Sequence, residues 1–299
     1  MTEMEVDPAA LLAALKPGAE LIDAESVKGG VSAGILRVRY REMASTYDVP
    51  STAIMRILPA RASLDAAAEA RLMNLLADRD FPVPQVLAHC AGTPADALLL
   101  EHVDGASDFT PGPERVKHMA DLVAALHRVP TAEFDMLAPP TDHPIGDAYG
   151  ELDPARTAPL AEFARAHPPD ASGAPVLCHG DFWPGNLLWT GPVDVKVLDW
   201  EDADLGDRLH DLAITRLELV WEAGVPAMER FTARYLAQCE DVERLRMLLP
   251  RWDLRETLLR LGWLPNWTLP EEVIHWSASV GLVHAERAAE AIAAARPAT

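Results

Sequence analysis

Asp181, Asn186 and Asp199 have the side chains best suited by type and spacing to do chemistry: a carboxylate that can orient a hydroxyl, and two hard oxygen donors. Asp181 and Asn186 lie in His179-Gly180-Asp181-Phe182-Trp183-Pro184-Gly185-Asn186, the densest polar cluster of the 299-residue chain. That cluster runs into Leu187-Leu188-Trp189, a turn through Thr190-Gly191-Pro192, and a return strand Val195-Lys196-Val197-Leu198 ending in Asp199-Trp200-Glu201. An antiparallel hairpin joins its own two ends, so Asn186 at its start and Asp199 at its finish are expected to face each other. A carboxylate, an amide oxygen, phosphate oxygens and waters are what hard, octahedral Mg²⁺ takes.

Asp181 precedes Asn186 with the spacing of the Asp and Asn in the kinase catalytic-loop pattern H-R-D-L-x-x-x-N, with glycine in place of the arginine. In phosphoryl transfer the protein mainly positions groups and neutralises charge, so an Asp beside a metal can orient a hydroxyl and accept its proton late. Asp181 is the candidate for that catalytic role. A lone His-x-Asp is more often a turn with capping residues; the Asp, Asn, hairpin and Asp combination is far rarer.

The segments His179 to Asn186, Asp199-Trp200-Glu201 and Gly206-Asp207-Arg208-Leu209-His210-Asp211-Leu212-Ala213 resemble, in that order, the signature of the aminoglycoside phosphotransferase-like family, small-molecule kinases with a protein-kinase-like fold. Arg208 stands where that family commonly has proline. The resemblance implies ATP and Mg²⁺ as cofactors, with Asn186 and Asp199 as metal ligands, and implies that Asp211, early in a helix, supports the catalytic loop. A plain N-terminal capping carboxylate is the simpler alternative for Asp211.

The likeness continues more weakly upstream. Gly29, Gly30 and Ser32, within Gly29 to Gly34, resemble the loop that covers nucleotide phosphates, although a glycine turn is more often only a hairpin. Arg56 and Glu69 occupy the places of the strand-three base that contacts phosphates and of its glutamate partner on the next helix. Arginine there offers a fixed charge and a bidentate fork. An exposed ion pair of little energetic consequence is the alternative. Glu101-His102-Val103 resembles the hinge that reads adenine through backbone groups, which places Glu101 and Val103 at the nucleotide by position only.

The elements that must position these residues are legible as periodicity. Ala9 to Leu15 reads as a short helix ended by Pro17-Gly18, followed by strand, glycine turn and strand through Ser26 to Tyr40. Thr52 to Leu58 reads as a third strand. Ser63 is the expected N-cap of a helix over Leu64 to Ala77, and Val86 to His89 and Ala97 to His102 are further strands. Glu114 to His127 has helical spacing, a Pro-, Asp- and Gly-rich stretch from Pro130 to Pro175 carries a shorter helix near Leu160 to Ala166, and Val176-Leu177-Cys178 is a strand. Helices dominate from Asp211 onward. The expected fold is α+β and two-lobed: residues 1–103 form a sheet-containing nucleotide lobe and residues 104–299 a mostly helical lobe with the catalytic hairpin, with ATP in the cleft.

Composition narrows the partners. A hydrophobic content of 49% and mean hydropathy of +0.00 allow a sizeable core. No apolar run approaches a membrane span, and Glu3, Glu5 and Asp7 stand where a secretory leader would be basic, so the expected location is the cytoplasm. Cys90, Cys178 and Cys239 are an odd number without a C-x-x-C, which argues against a disulfide framework or a zinc site. A net charge of −20 argues against nucleic acid or anionic membrane as partner. It serves either solubility alone or the attraction of a cationic, hydroxylated small molecule. His127, His275 and His284 sit in helical contexts without metal-ligand spacing and are expected to be packed or exposed. Trp252, Trp263, Trp267 and Trp276 are expected in core packing; the sharper alternative is an aromatic wall that, with Glu271 and Glu272, receives a flat or cationic acceptor.

The expected function is that of an ATP- and Mg²⁺-dependent small-molecule kinase whose acceptor is a hydroxyl. Two other classes stand beside it. One is a nucleotide-binding protein of the same fold without turnover, against which Asp181, Asn186 and Asp199 speak. The other is a metal-dependent hydrolase using His179 and Asp181, which lacks a third spaced ligand and leaves Asn186 unexplained.

Overall fold

A computed structural model describes residues 6–27, 34–42, 49–59, 62–92, 94–140, 143–145, 153–267 and 269–295. The chain divides into two units, Met1–Ala106 with Leu187–Ala203, and Ser107–Asn186 with Asp204–Thr299. None of the described helices is long and apolar enough to cross a membrane.

In the first unit an antiparallel sheet has the strand order β1-β2-β3-β5-β4, formed by β1 Ala19–Ser26, β2 Gly34–Glu42, β3 Ser51–Ile57, β4 Val86–Cys90 and β5 Ala97–Glu101. Strand β3 is central, and its alternation assigns the two faces. Ala53 and Met55 point to one side, where Leu11, Leu12 and Leu15 of helix α1 (Pro8–Leu15) pack on them together with Val38 and Leu99. Burying each such leucine contributes about 1.5–3 kcal/mol. Arg56 has the opposite parity and lies between Ile35 of β2 and Leu98 of β5.

Helix α2 (Ala66–Ala77) begins two residues later than the sequence suggests. Its N-cap is Asp65, whose Oδ1 accepts the Ala68 amide at 2.8 Å, and not Ser63. Asp65 directly precedes Ala66-Ala67-Ala68-Glu69, residues with strong helix propensity or N-terminal preference, whereas the Leu64 side chain is buried outside the helix.

Strands β7 (Leu187–Trp189) and β8 (Val195–Val197) form a separate hairpin in this unit, with Leu187 opposite Val197. Trp189 exchanges both backbone hydrogen bonds with Ala106 at 3.0 Å, and the Val197 amide donates to the Pro82 carbonyl at 2.7 Å. The approach at Gly105 leaves no room for a side chain: a Cβ there would lie 2.8 Å from the Trp189 carbonyl oxygen.

The second unit is mostly helical: α3 Pro113–Leu126, α4 Pro154–Ala166, α5 Arg208–Ala223, α6 Val225–Leu236, α7 Val242–Trp263 and α8 Glu271–Ala294. Leu217 and Trp221 of α5, Leu254 and Leu258 of α7, and Leu282 and Ala285 of α8 share one core. Helix α4 starts well before Leu160, with Pro154 in its first turn, a position that needs no amide hydrogen. Strand β6 (Val176–Cys178) pairs with β9 (Asp204–Gly206), which sets the segment after β6 and the start of α5 side by side within this unit.

Candidate active site

In the second unit, the chain leaving β6 turns at Gly180, whose φ of 79° lies in the left-handed region that L side chains avoid. This accounts for glycine between His179 and Asp181. The turn is held from α5: the fully buried Asp211 accepts the His179 amide on Oδ2 and the Gly180 amide on Oδ1, both at 2.8 Å. His127 of α3's C-cap bridges further, with Nε2 3.1 Å from Asp211 Oδ2 and Nδ1 2.7 Å from the Tyr235 hydroxyl. The Thr215 hydroxyl donates toward the Phe182 and Asp211 carbonyls at 2.7 and 2.8 Å. Burial alone would raise the Asp211 carboxyl, but the hydrogen bond and charge of His127, aided by His179 and His210, bring it down to about 2. Asp211 therefore acts as an ionised acceptor that fixes the loop backbone.

His127, Cys178 and Asp211 are the cluster among the described residues with metal-compatible atoms close together. Both His127 nitrogens and both Asp211 oxygens already have partners, and burial pushes the Cys178 thiol well up, so the cluster is structural.

The loop presents Asp181 with each carboxylate oxygen engaged. Asn186 Nδ2 donates to Asp181 Oδ2 at 3.1 Å and to the Asp181 carbonyl at 2.8 Å. Arg260 of α7 donates from Nη2 to Asp181 Oδ1 at 2.8 Å and from Nη1 to Glu218 Oε1 at 3.3 Å. Burial pushes the Glu218 carboxyl up to about 8, with Arg260 opposing and the Asp181 charge adding to the rise. The two acceptors on Asp181 fix which end of the Asn186 amide is nitrogen. Its Oδ1 accepts no hydrogen bond among the described residues, so it remains available as a hard donor.

In the first unit, Arg56 is the centre of a buried ion cluster. Its Nη1 donates to both Glu69 oxygens at 2.5 and 2.7 Å, and its Nη2 donates to Glu201 Oε2 at 2.7 Å and to Asp199 Oδ1. Arg56 and Glu69 are 5% and 1% exposed, so they are not a surface ion pair. Burial pushes the Glu69 carboxyl up to about 7; Arg56 opposes this, while Asp199 and Glu201 add to it. Three carboxylates share one guanidinium, a charge balance that leaves room for further positive charge. Asp199 has a φ of 63°, uncommon for a residue with a side chain, although Asp is among the more tolerant. Asp199, with about a third of its side chain exposed, and, in the other unit, the Asn186 amide oxygen are each a hard donor of the type Mg²⁺ takes.

The remaining candidates divide. Gly29, Gly30 and Ser32 lie outside the described residues. Glu101 ends β5, accepts the Gln85 amide at 3.0 Å and pairs with Lys196 at 3.1 Å, and Val103 follows it in irregular backbone. Three of the four tryptophans have separate ring partners, Trp252 with His210, Trp263 with His143 and Trp267 with Trp221, while Trp276 is 51% exposed. Core packing holds for Trp267, which lies against the helical core, while Trp252 is half-buried and Trp263 is 40% exposed. Two residues escaped sequence reasoning. Glu201 closes Asp199-Trp200-Glu201, and nothing local in the sequence names Arg56 as its partner. Arg260 carries a signal only in hindsight of its neighbours, as a lone charge in Leu258-Leu259-Arg260-Leu261, where every residue is buried.

The sequence profile described as the phosphotransferase enzyme family matches residues 36–248. Aminoglycoside 3'-phosphotransferase of Streptomyces fradiae is 29% identical over 217 residues, covering 62% of this chain and 78% of that protein. Among solved structures, a microcompartment-associated aminopropanol kinase superposes with a TM-score of 0.65 at 16% identity, covering 91% of this chain and 93% of the other. A spectinomycin phosphotransferase in complex with ADP and spectinomycin superposes with a TM-score of 0.59 at 14% identity, covering 96% of each chain. These likenesses make the α+β fold protein-kinase-like. With the profile spanning more than half of its length, the chain belongs to the phosphotransferase enzyme family and is a small-molecule kinase.

Proposed function

We propose that this kinase transfers the γ-phosphoryl group of ATP, with Mg²⁺, to a hydroxyl of an amine-bearing small molecule. The observation that carries this is the geometry of Asp181: Asn186 and Arg260 hold one carboxylate oxygen each, so the group is set in one orientation. Oδ1 retains a lone pair for an acceptor O–H. As the acceptor oxygen bonds to the γ-phosphorus and the bond to the β-phosphate oxygen breaks, ADP leaves and the acceptor's proton passes to Asp181.

Asn186 and Asp199 are the proposed metal ligands, and Mg²⁺ bound there would offset the charge of the phosphate oxygens. Arg56, supported by Glu69, is the proposed phosphate contact. Because both Nη2 hydrogens have acceptors, a phosphate oxygen can take one only when Asp199 or Glu201 releases it. Gly29, Gly30 and Ser32 are the proposed phosphate-loop residues, and Glu101 and Val103 the proposed adenine contacts. An amine on the acceptor is supported by the net charge of −20 and by relatives named for aminoglycoside and aminopropanol substrates.

An acceptor screen that reads ADP release from Mg²⁺-ATP tests this, with Asp181→Asn as the control. Acceptor-dependent ADP release is expected from the wild type and a fall of about 100-fold or more from the variant. Tight ATP binding with no turnover of any alcohol would instead mark a nucleotide-binding protein of this fold.

A further inference from the structure

We infer that Arg260 is a positioning residue for Asp181, holding its carboxylate in the orientation that transfer requires while anchored itself on Glu218. The inference rests on the assignment of Asp181 as the residue that meets the acceptor hydroxyl.

Three observations converge on it. Arg260 is 7% exposed and sits in an apolar run of α7, where leucine or methionine would pack without the desolvation cost of a guanidinium. Its Nη2 bonds to Asp181 Oδ1 at 2.8 Å, across 79 positions of sequence. Its Nη1 reaches Glu218 of α5, the helix that also carries Asp211 and so fixes the backbone of the same loop. One helix thus secures the loop's main chain directly and its reactive side chain through Arg260. The raised Glu218 carboxyl is consistent with an anchor that leaves the guanidinium charge to Asp181.

The orientation argument is geometric. Rotation about the Cβ–Cγ bond of an aspartate is soft and roughly two-fold. Asn186 alone touches one oxygen and the backbone, which leaves the carboxylate plane free to swing about that contact. A second, planar donor on the other oxygen fixes the plane. Misplacing a reacting group by about 1 Å costs roughly 100-fold in rate.

The test compares Arg260→Met, Arg260→Lys, Asp181→Asn and the Asp181→Asn/Arg260→Met double variant. Rates are measured by single-turnover ADP formation from Mg²⁺-ATP, using the fastest alcohol of the screen, or water if none reacts, and crystal structures give the Asp181 rotamer. The expectation for Arg260→Met is a rate roughly 100-fold lower with KM for ATP within about two-fold, and Asp181 in more than one rotamer. Arg260→Lys, which keeps the charge but not the planar fork, recovers about tenfold of the loss and stays below the wild-type rate, and Arg260→Met adds nothing further in the Asp181→Asn background. A wild-type rate and a single Asp181 rotamer in Arg260→Met overturn the inference, as does full additivity in the double variant. If Arg260→Met does not fold, Arg260→Lys decides alone: a lower rate at unchanged KM supports the inference, and a wild-type rate overturns it. A fully active Asp181→Asn removes the underlying assignment instead, so the two failures are distinguishable.

Discussion

Arg56 Nη1 reaches both carboxylate oxygens of Glu69, at 2.5 and 2.7 Å, from the middle of a sheet to the first turn of the helix that covers it. The pair ties β3 to α2 through a contact shielded from water, with Asp199 and Glu201 closing on the other nitrogen. Removing the guanidinium leaves three carboxylates without their shared cation.

Arg56→Ala should therefore destabilise the protein by about 3–5 kcal/mol, which is the cost of breaking a buried pair from one side. Arg56→Lys keeps a charge but not the planar fork, and should lose distinctly less. Urea unfolding of the three proteins measures both. A loss below about 1 kcal/mol for Arg56→Ala would mean the cluster does not hold the sheet and helix together.

Asp199 combines a candidate ligand with a left-handed backbone, so its two roles can be separated by glycine. Asp199→Gly relieves a conformational cost of order 1 kcal/mol while removing one of three carboxylates around Arg56, which keeps Glu69 and Glu201. Stability is expected within about 1 kcal/mol of wild type. Metal-dependent ATP binding, followed by tryptophan fluorescence, should fall strongly. Unchanged Mg²⁺ dependence in the folded variant would remove Asp199 from the metal site.

What could be read from the sequence follows from how local each cause is. The turn chemistry of His179 to Ala213 is carried by glycine and proline, and its strands are marked by alternation; hence β7 and β8 form over the expected residues, while α5 begins at Arg208, three residues before Asp211. Arg56 and Glu69 were reachable because the resemblance places a base on the third strand and its glutamate partner on the next helix, and β3 and α2 form at those places. Arg260 was not, because the partner of a buried arginine is decided by packing of α5 against α7, and its place in the apolar run Leu258 to Leu261 marks it as buried without naming what it meets. The start of α2 was misplaced for a similar reason: Ser63 and Asp65 are both good caps, and burial of Leu64 chooses between them. The tie of the hairpin to Ala106 and Pro82 is likewise a long-range backbone contact, carried by groups that every residue possesses.

Gly180→Ala tests the turn that presents Asp181. A left-handed φ costs a side chain roughly 1–2 kcal/mol, so the variant should be less stable by that amount. Any relaxation of φ moves the amides of His179 and Gly180 off Asp211 and shifts Asp181, so turnover should fall more steeply than stability. Equal stability and full activity would show that the turn tolerates a Cβ.

Asp211 makes the loop's integrity dependent on pH, with a sign set by its depressed carboxyl. Its folded pKa of about 2 lies below the ordinary 3.8, so the folded state binds this proton less readily than the unfolded chain. The stabilisation is present above the unfolded value and is lost as pH falls toward 2; taken over the whole shift it amounts to about 2 kcal/mol. Glu69 and Glu218 act in the opposite direction, since carboxyls raised to about 7 and 8 contribute below the ordinary 4.5 and lose that contribution as pH rises through the folded values. Comparing wild type with Asp211→Asn cancels those two groups. Asparagine offers one acceptor oxygen to the two amides and turns an N–H₂ group toward the other, so the variant should be less stable at pH 6. The gap between the two proteins, from urea unfolding, should narrow by about 1 kcal/mol at pH 3 and by about 2 kcal/mol at pH 2. A gap that stays constant from pH 6 to pH 2 would mean that Asp211 gains nothing from being ionised, and that the amides of His179 and Gly180 are held by geometry that a neutral side chain supplies equally well.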